Sequence, residues 1–402
     1  MTATDAPTAT TASTEDDVLA LCHQLLEELP PKETDPASFL GRQFDLGLAW
    51  VHFPVGNGGL GLSPRLQRAI NEALLGAGAP VAAYRNVIGH GMGAPTIATH
   101  GTEAQKQRYL RPLFTGEEVW CQLFSEPGAG SDVAGLATKA VRDGEEWIVN
   151  GQKVWTTLAH LAKWGLLVAR TDPEAPKHKG MTYFVVDMEA PGVEVRPLFQ
   201  ITGEAEFNEV YFTDVRIPDS ERLGDVGEGW RVTLTTLMNE RVAIGGGIPA
   251  KGTGFIAEAV AAWQEHGRGT SDKDQLMRLW VRAEVLRLTN IRASQLRSLG
   301  NPGPEGSIGK AMSADLNKDI TSFTVDLMGP EGMLFPTGYT MERPKHAMQF
   351  ANPQQAFLRT RANSIEGGTT EIAKNILGER VLGLPGEVRS DKDVPWTQVP
   401  RS

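Results

Sequence analysis

The chain has 402 residues, 41% of them apolar and 22% charged, which is ample material for a sizeable core and excludes a wholly disordered or fibrous protein. Its 49 acidic residues against 39 basic ones leave a formal charge of −10, and such a surface repels a phosphate backbone, so nucleic acid is a poor partner. Two cysteines, Cys22 and Cys121, are too few for a disulfide framework or a Cys-based metal site, and the eight histidines never take the HExxH form, so no metal is expected.

The Thr/Ala-rich opening, residues 1–14, is expected to be a disordered tail. The first basic residue is Lys32, so neither a signal nor a transit peptide is expected, and the protein reads as cytoplasmic. No apolar run approaches the ~18 residues that would cross a bilayer. From 15 to 118 the periodicity is helical: Asp16 to Leu29 carries apolar residues at three- and four-residue spacing, and Pro30 and Pro31 end that helix. From 119 to 225 the signal changes to short β-rich runs, a central antiparallel β domain. Asp143-Gly144 separates Thr138–Val141 from Glu146–Val149, and Asn150-Gly151 follows at once; both dipeptides supply the positive φ of tight hairpins. Later runs are Leu166–Ala169, Thr182–Val186 and Glu209–Phe212. From 226 to 386 long helices return. Met312, Leu316, Ile320, Phe323 and Leu327 form a stripe that must be buried against another helix, which predicts a C-terminal four-helix bundle. The Gly-rich stretch 298–309 reads as an interhelix loop and 387–402 as a polar tail without assigned function. The fold class is α+β: helices, then sheet, then helices, without the alternation of a doubly wound sheet.

Taken alone, SEPGAGSD at 125–132 is a polar turn whose N–H groups and hydroxyls can hold a flavin pyrimidine edge or a phosphate. Its glycines do not fall as GxGxxG. NGQKVWTT at 150–157 is, alone, a hairpin with a core tryptophan. Together, LFSEPGAGSD at 123–132, NGQKVWTT, EVYFTDVRIP at 209–218 and EGGTTEI at 366–372, with GTEAQKQRYLRPLFTGE at 101–117 upstream, resemble the acyl-CoA dehydrogenase family in order and spacing over about Pro54 to Pro385.

The resemblance implies the acyl-CoA dehydrogenase fold, FAD, and α,β-dehydrogenation of an acyl-CoA thioester to the trans-2-enoyl-CoA. It implies flavin contacts from Gln122, Phe124, Ser125 and Ser131, with Trp155 and Thr157 against the isoalloxazine. Ser131 also borders the pantetheine arm, while Thr369 and Glu371 match positions that reach the FAD diphosphate and ribityl region. Asp326 and Gly329 sit where the family places a Gln and a Gly that touch a neighbouring subunit's FAD; the Gln is replaced here. The family's Arg-x-x-Phe-Gly segment is absent from WQEHGRGTSDKDQLM at 263–277, where Arg268 is either a substitute or a solvated loop residue.

The resemblance also requires a carboxylate to take the α-proton. Many members place a Glu directly before the Gly-Thr of the final motif, but Gly367 stands there and Glu366 lies one residue early, expected to point elsewhere. Another branch, with isovaleryl-type and long-chain enzymes, places the base on a helix before an Arg, and LMNERVAI at 237–244 offers Glu240 and Arg241. Glu240 lies three residues after Leu237 and four before Ile244, at the edge of the apolar stripe. An isolated Glu-Arg pair is usually solvated surface, yet the empty position at Gly367 makes Glu240 the expected base, with Arg241 orienting it or holding the helix. A base walled by apolar groups tends to a raised pKa, suited to a weak carbon acid. The Gly367 N–H is expected to hydrogen-bond the thioester carbonyl, and the missing Cβ, with Gly245 to Gly247, to admit a bulky acyl group. The implied acceptor is an electron-transferring flavoprotein, and the implied assembly a homodimer, homotetramer or heterotetramer. An acyl-CoA oxidase and a partner-dependent, non-catalytic subunit are the alternatives.

Overall fold

A computed structural model describes residues 13–245, 247–267, 269–297, 305–335, 341–347, 351–386, 388, 391 and 393–400. Most of the expected opening tail, together with Arg268 and Gly246, lies outside them. The chain divides into two compact units, Met1–Asn86 with Ile97–Glu118, and Val87–Thr96 with Val119–Ser402.

The first unit is helical. Helix α1 (Glu15–Glu28) starts at a capping box in which the Thr14 hydroxyl accepts from the Asp17 N–H and the Asp17 carboxylate accepts from the Thr14 N–H. It ends before Pro30, as the sequence requires. Helices α2 (Pro36–Asp45) and α3 (Gln67–Gly76) share its core of Val18, Cys22, Leu25, Phe39, Leu48, Ile70 and Leu74. The short α4 (Ala82–Arg85) and α5 (Ala94–His100, whose first residues go with the second unit) precede α6 (Glu103–Thr115), capped by Thr102 and ended by Gly116 at φ +72°.

The second unit holds an eight-stranded sheet in the order β6-β7-β3-β2-β4-β5-β8, with β1 beside β4. The strands are β1 (Trp120–Leu123), β2 (Lys139–Asp143), β3 (Glu146–Thr157), β4 (Trp164–Arg170), β5 (Met181–Asp187), β6 (Val193–Pro197), β7 (Phe207–Pro218) and β8 (Arg222–Leu223). Pairing is antiparallel except where β4 runs parallel to β1 and, at one position, to β2. Gly165–Arg170 and Met181–Val186 are buried throughout, so their near-continuous apolar runs belong to strands covered on both faces. The core includes Leu123, Trp147, Leu167, Phe184, Phe212 and Ile217.

Asp143-Gly144 does turn a hairpin between β2 and β3, but Asn150-Gly151 does not. There β3 runs on to Thr157 and shifts register against β7. The Asn150 amide and Asp214 exchange two hydrogen bonds across the bulge, Asp214 taking φ +49°. A Cβ at residue 151 would lie 2.4 Å from the Thr138 hydroxyl, so the glycine serves close strand approach rather than a turn.

The C-terminal helices are α7 (Gly229–Gly245), α8 (Phe255–His266), α9 (Thr270–Arg297), α10 (Glu305–Met328), α11 (Pro353–Thr360) and α12 (Thr370–Arg380). The expected α10 stripe is buried at Leu316, Ile320 and Phe323 against Ile256, Ala259, Leu276 and Leu279, with Leu327 at the edge. Helix α10 begins at Glu305, inside the stretch expected to be loop. A Cβ at Gly306 would make only an ordinary contact, 3.9 Å from the Arg241 Cβ of α7. No helix among the described residues is long and apolar enough to cross a membrane.

The described part of the polar C-terminal segment docks on the end of β4 and the neighbouring loops. Trp396 is buried, donates its indole N–H to the Gly135 carbonyl at 3.3 Å and lies beneath the Arg170 guanidinium, while its backbone N–H bonds Ala175. Upstream, Asp391 pairs with Lys177, which also holds Asp132 at 2.7 Å. Trp396→Ala removes a buried aromatic worth about 3 kcal/mol, so amide exchange at Asp391 and within residues 393–399 is expected to quicken roughly a hundredfold; unchanged protection would show that the segment is held without its anchor.

Candidate active site

Strand β1, helix α7, helix α10 and the turn before α12 meet around Glu240. The Gln122 amide on β1 donates to the Glu240 carboxylate at 3.2 Å. One turn before Glu240, the Thr236 hydroxyl contacts both Tyr183 Oη of β5 at 3.0 Å and Thr96 Oγ1 at 2.9 Å. Next to α7 stands a single π-helical turn, Gly89–Gly93, where a Cβ at Gly91 would come 3.2 Å from the Ala243 methyl. Such turns recur at functional sites. Glu240 is partly buried. That burial pushes its carboxyl above the ordinary range, against the Gln122 hydrogen bond and the charges of Arg241 and Lys310, while Glu366 adds to the rise.

Glu366 is occupied elsewhere. It pairs with Arg359 at 2.9 Å and accepts from the Asn363 amide at 2.7 Å, and Arg359 is only 3% exposed. Gly367 and Gly368 follow with φ of +62° and +88°, a conformation that disfavours any side chain. The Gly368 carbonyl accepts from the buried Lys310 ammonium of α10. Thr369 then caps α12, its hydroxyl accepting from the Ile372 N–H at 3.1 Å, and Glu371 stands exposed in the first turn.

The two motifs read first in the sequence are stitched together. The wholly buried Lys153 ammonium donates to the Phe124 carbonyl at 3.0 Å and to Glu126 at 2.8 Å, and the Val154 N–H bonds the Ser125 carbonyl at 2.9 Å. Glu126 also accepts from the Ala137 and Thr138 N–H groups. Burial would raise the Glu126 carboxyl, but Lys153 and these bonds outweigh it and hold it below the ordinary range. Phe124 lies edge-on to Tyr183 at 5.9 Å. Ser125 is half-buried, and Ser131 is exposed beside Asp132.

Trp155 stands 58% exposed at φ +60°, edge-on to Phe207 at 5.8 Å, where β3 shifts register a second time. A non-glycine residue held in the left-handed region stores strain of the kind that clusters at ligand sites. Thr157 is half-buried on the same strand. Asp326 and Gly329 lie exposed at the far end of α10, with no contact to Glu240. Helix α8 ends at His266 and α9 begins at Thr270.

Lys153, Lys177, Lys310 and Arg359 were not singled out from sequence. Lys153 carried a signal, a lysine inside the apolar strand run KVW, but its partner lies 27 residues away on another segment.

The chain matches the N-terminal, middle and C-terminal domain models of acyl-CoA dehydrogenase over residues 18–117, 121–215 and 227–382. It is 41% identical over 345 residues to acyl-CoA dehydrogenase FadE34 of Mycobacterium tuberculosis, covering 85% of this chain and 45% of that protein, so it spans about half the length of that relative. It is 37% identical over 350 residues to acyl-CoA dehydrogenase IpdE1 of the same organism, covering 85% and 86%. Among solved structures it superposes on the Tcur3481-Tcur3483 steroid ACAD with a TM-score of 0.71 at 25% identity, over 94% of this chain and all of that one. Helical, sheet and helical segments in this order, with all three models matched in register, make the chain a member of the acyl-CoA dehydrogenase family.

Proposed function

We propose that the chain is an FAD-dependent acyl-CoA dehydrogenase in which Glu240 takes the α-proton of the thioester. One observation carries the reading: Glu240 is a partly buried carboxylate with a raised pKa, tied to the first motif strand through Gln122, whereas Glu366 is consumed by Arg359 and Asn363. A thioester α-C–H is a weak acid, and a base of raised pKa matches it better than an exposed glutamate. The Gly367 N–H, presented by the glycine turn, stabilises the charge that develops on the carbonyl oxygen. Bound FAD supplies the acceptor for the hydride leaving the β-carbon. Gln122, Phe124, Ser125, Ser131, Trp155, Thr157, Thr369 and Glu371 would hold it, with Asp326 and Gly329 facing a neighbouring subunit's flavin. An exposed, strained indole at Trp155 fits a flat ring system placed over it. An electron-transferring flavoprotein is the acceptor in this reading.

The resemblance to a steroid enzyme and the absent side chain at Gly367 favour a bulky, polycyclic acyl group. Turnover of polycyclic against straight short-chain CoA thioesters tests this: kcat/KM is expected to favour the bulky class by roughly tenfold or more, and equal turnover of both would contradict it. The altered sequence at 263–277, without the Arg-x-x-Phe-Gly segment, and Asp326 in place of Gln favour a second reading, a chain that completes its flavin site only with a partner subunit. Native mass measurement of the chain alone and with a second family member separates the two.

A further inference from the structure

We infer that Lys310 is a positioning residue that holds the Gly367–Gly368 turn in place opposite Glu240; the inference rests on the proposed function and adds a residue to it. Lys310 is 2% exposed on α10, and its ammonium donates to the Gly368 carbonyl. A lysine buried this deeply is rare without a specific partner. The turn it touches has no side chains of its own with which to hold its shape. Before it Glu366 is fixed by Arg359 and Asn363, and after it Thr369 is fixed as the α12 cap. The torsions of two glycines lie between these anchors, and Lys310 is the side chain that pins the carbonyl among them. If the Gly367 N–H is to meet a thioester carbonyl, this anchor sets where it points.

Lys310 also places a positive charge near the proposed base. Burial lowers the Lys310 pKa, and Glu240 of α7, Glu366 of the turn, Glu371 of α12 and Asp315 of α10 partly offset it by favouring the charged form. Those acting on Glu240 are Gln122 of β1, Arg241 of α7, Glu366 and Lys310, with Tyr183 of β5 also in electrostatic reach. Removing the Lys310 charge therefore raises the Glu240 pKa further. The proton-accepting form would then appear only at higher pH, and the acid limb of the rate profile moves upward.

The test uses the FAD-loaded full chain as wild type, Lys310→Met and Lys310→Arg, with folding and flavin content checked by the visible spectrum. Calorimetry compares an acyl-CoA thioester with the thioether analogue in which a methylene replaces the carbonyl. The wild type is expected to prefer the thioester, and Lys310→Met to narrow that preference by roughly tenfold, the worth of a misdirected hydrogen bond. In the pH profile of flavin reduction the acid limb should move to higher pH in Lys310→Met and return toward wild type in Lys310→Arg. If the methionine variant does not fold, Lys310→Gln, neutral but still a donor, carries the pH expectation. Wild-type preference and acid limb both unchanged in the neutral variant would overturn the inference. A wild type that neither prefers the thioester nor is reduced by any acyl-CoA would instead overturn the proposed function.

Discussion

Glu240→Gln is expected to keep the fold and the flavin while slowing flavin reduction by an acyl-CoA about a hundred- to ten-thousand-fold, the usual worth of a positioned general base. The substitution is nearly isosteric and leaves an oxygen to accept from Gln122, so the loss would report the missing base rather than a collapsed site. Glu366→Gln is the control. That carboxylate shares Arg359, 3% exposed, with Glu206 at 3.7 Å, and its loss is expected to lower stability more than rate. Stopped-flow reduction of both variants, with thermal melts, decides between them. Near-normal reduction in Glu240→Gln with loss in Glu366→Gln would move the base to Glu366.

Lys153→Met should be the most destabilising single change in the sheet. The lysine is wholly buried and its partner Glu126 nearly so; breaking such a pair by removing one member costs about 3–5 kcal/mol, because the other charge stays buried. Urea unfolding measures it, and a loss under about 1 kcal/mol would show that the pair contributes little. The sign of the pH dependence follows from Glu126. Its folded pKa is depressed, so its contribution is complete above the unfolded glutamate value of about 4.3 and fades as the pH falls through the folded value. Lys153→Met should therefore lose its excess instability in acid, where Glu126 becomes neutral.

Local chemistry was legible in the sequence where it repeats over several residues. The α1 stop at Pro30, the α10 stripe and the apolar runs of β4 and β5 each carry a periodic or breaker signal. Asn150-Gly151 misled because the dipeptide encodes what its backbone can do, while Asp214 and Thr138, distant in sequence, decide that it bulges rather than turns. At the site, only the family resemblance separates Glu240 from Glu366 in the sequence, while in the structure the Arg359 and Asn363 contacts engage Glu366 elsewhere. Lys310 had no sequence signal, since a lysine on an amphipathic helix reads as solvated face until its tertiary partner is known. Trp396 was hidden by the polar residues around it.

Anaerobic titration of the purified, flavin-loaded chain with an acyl-CoA panel that includes polycyclic thioesters, followed by the visible flavin spectrum, tests the role of Glu240 on the reacting flavin itself. One class is expected to bleach the flavin in the wild type and to leave Glu240→Gln oxidised over the same interval. A flavin bleached equally fast in both would contradict the role of Glu240, and a flavin left oxidised by every thioester would contradict the dehydrogenase itself.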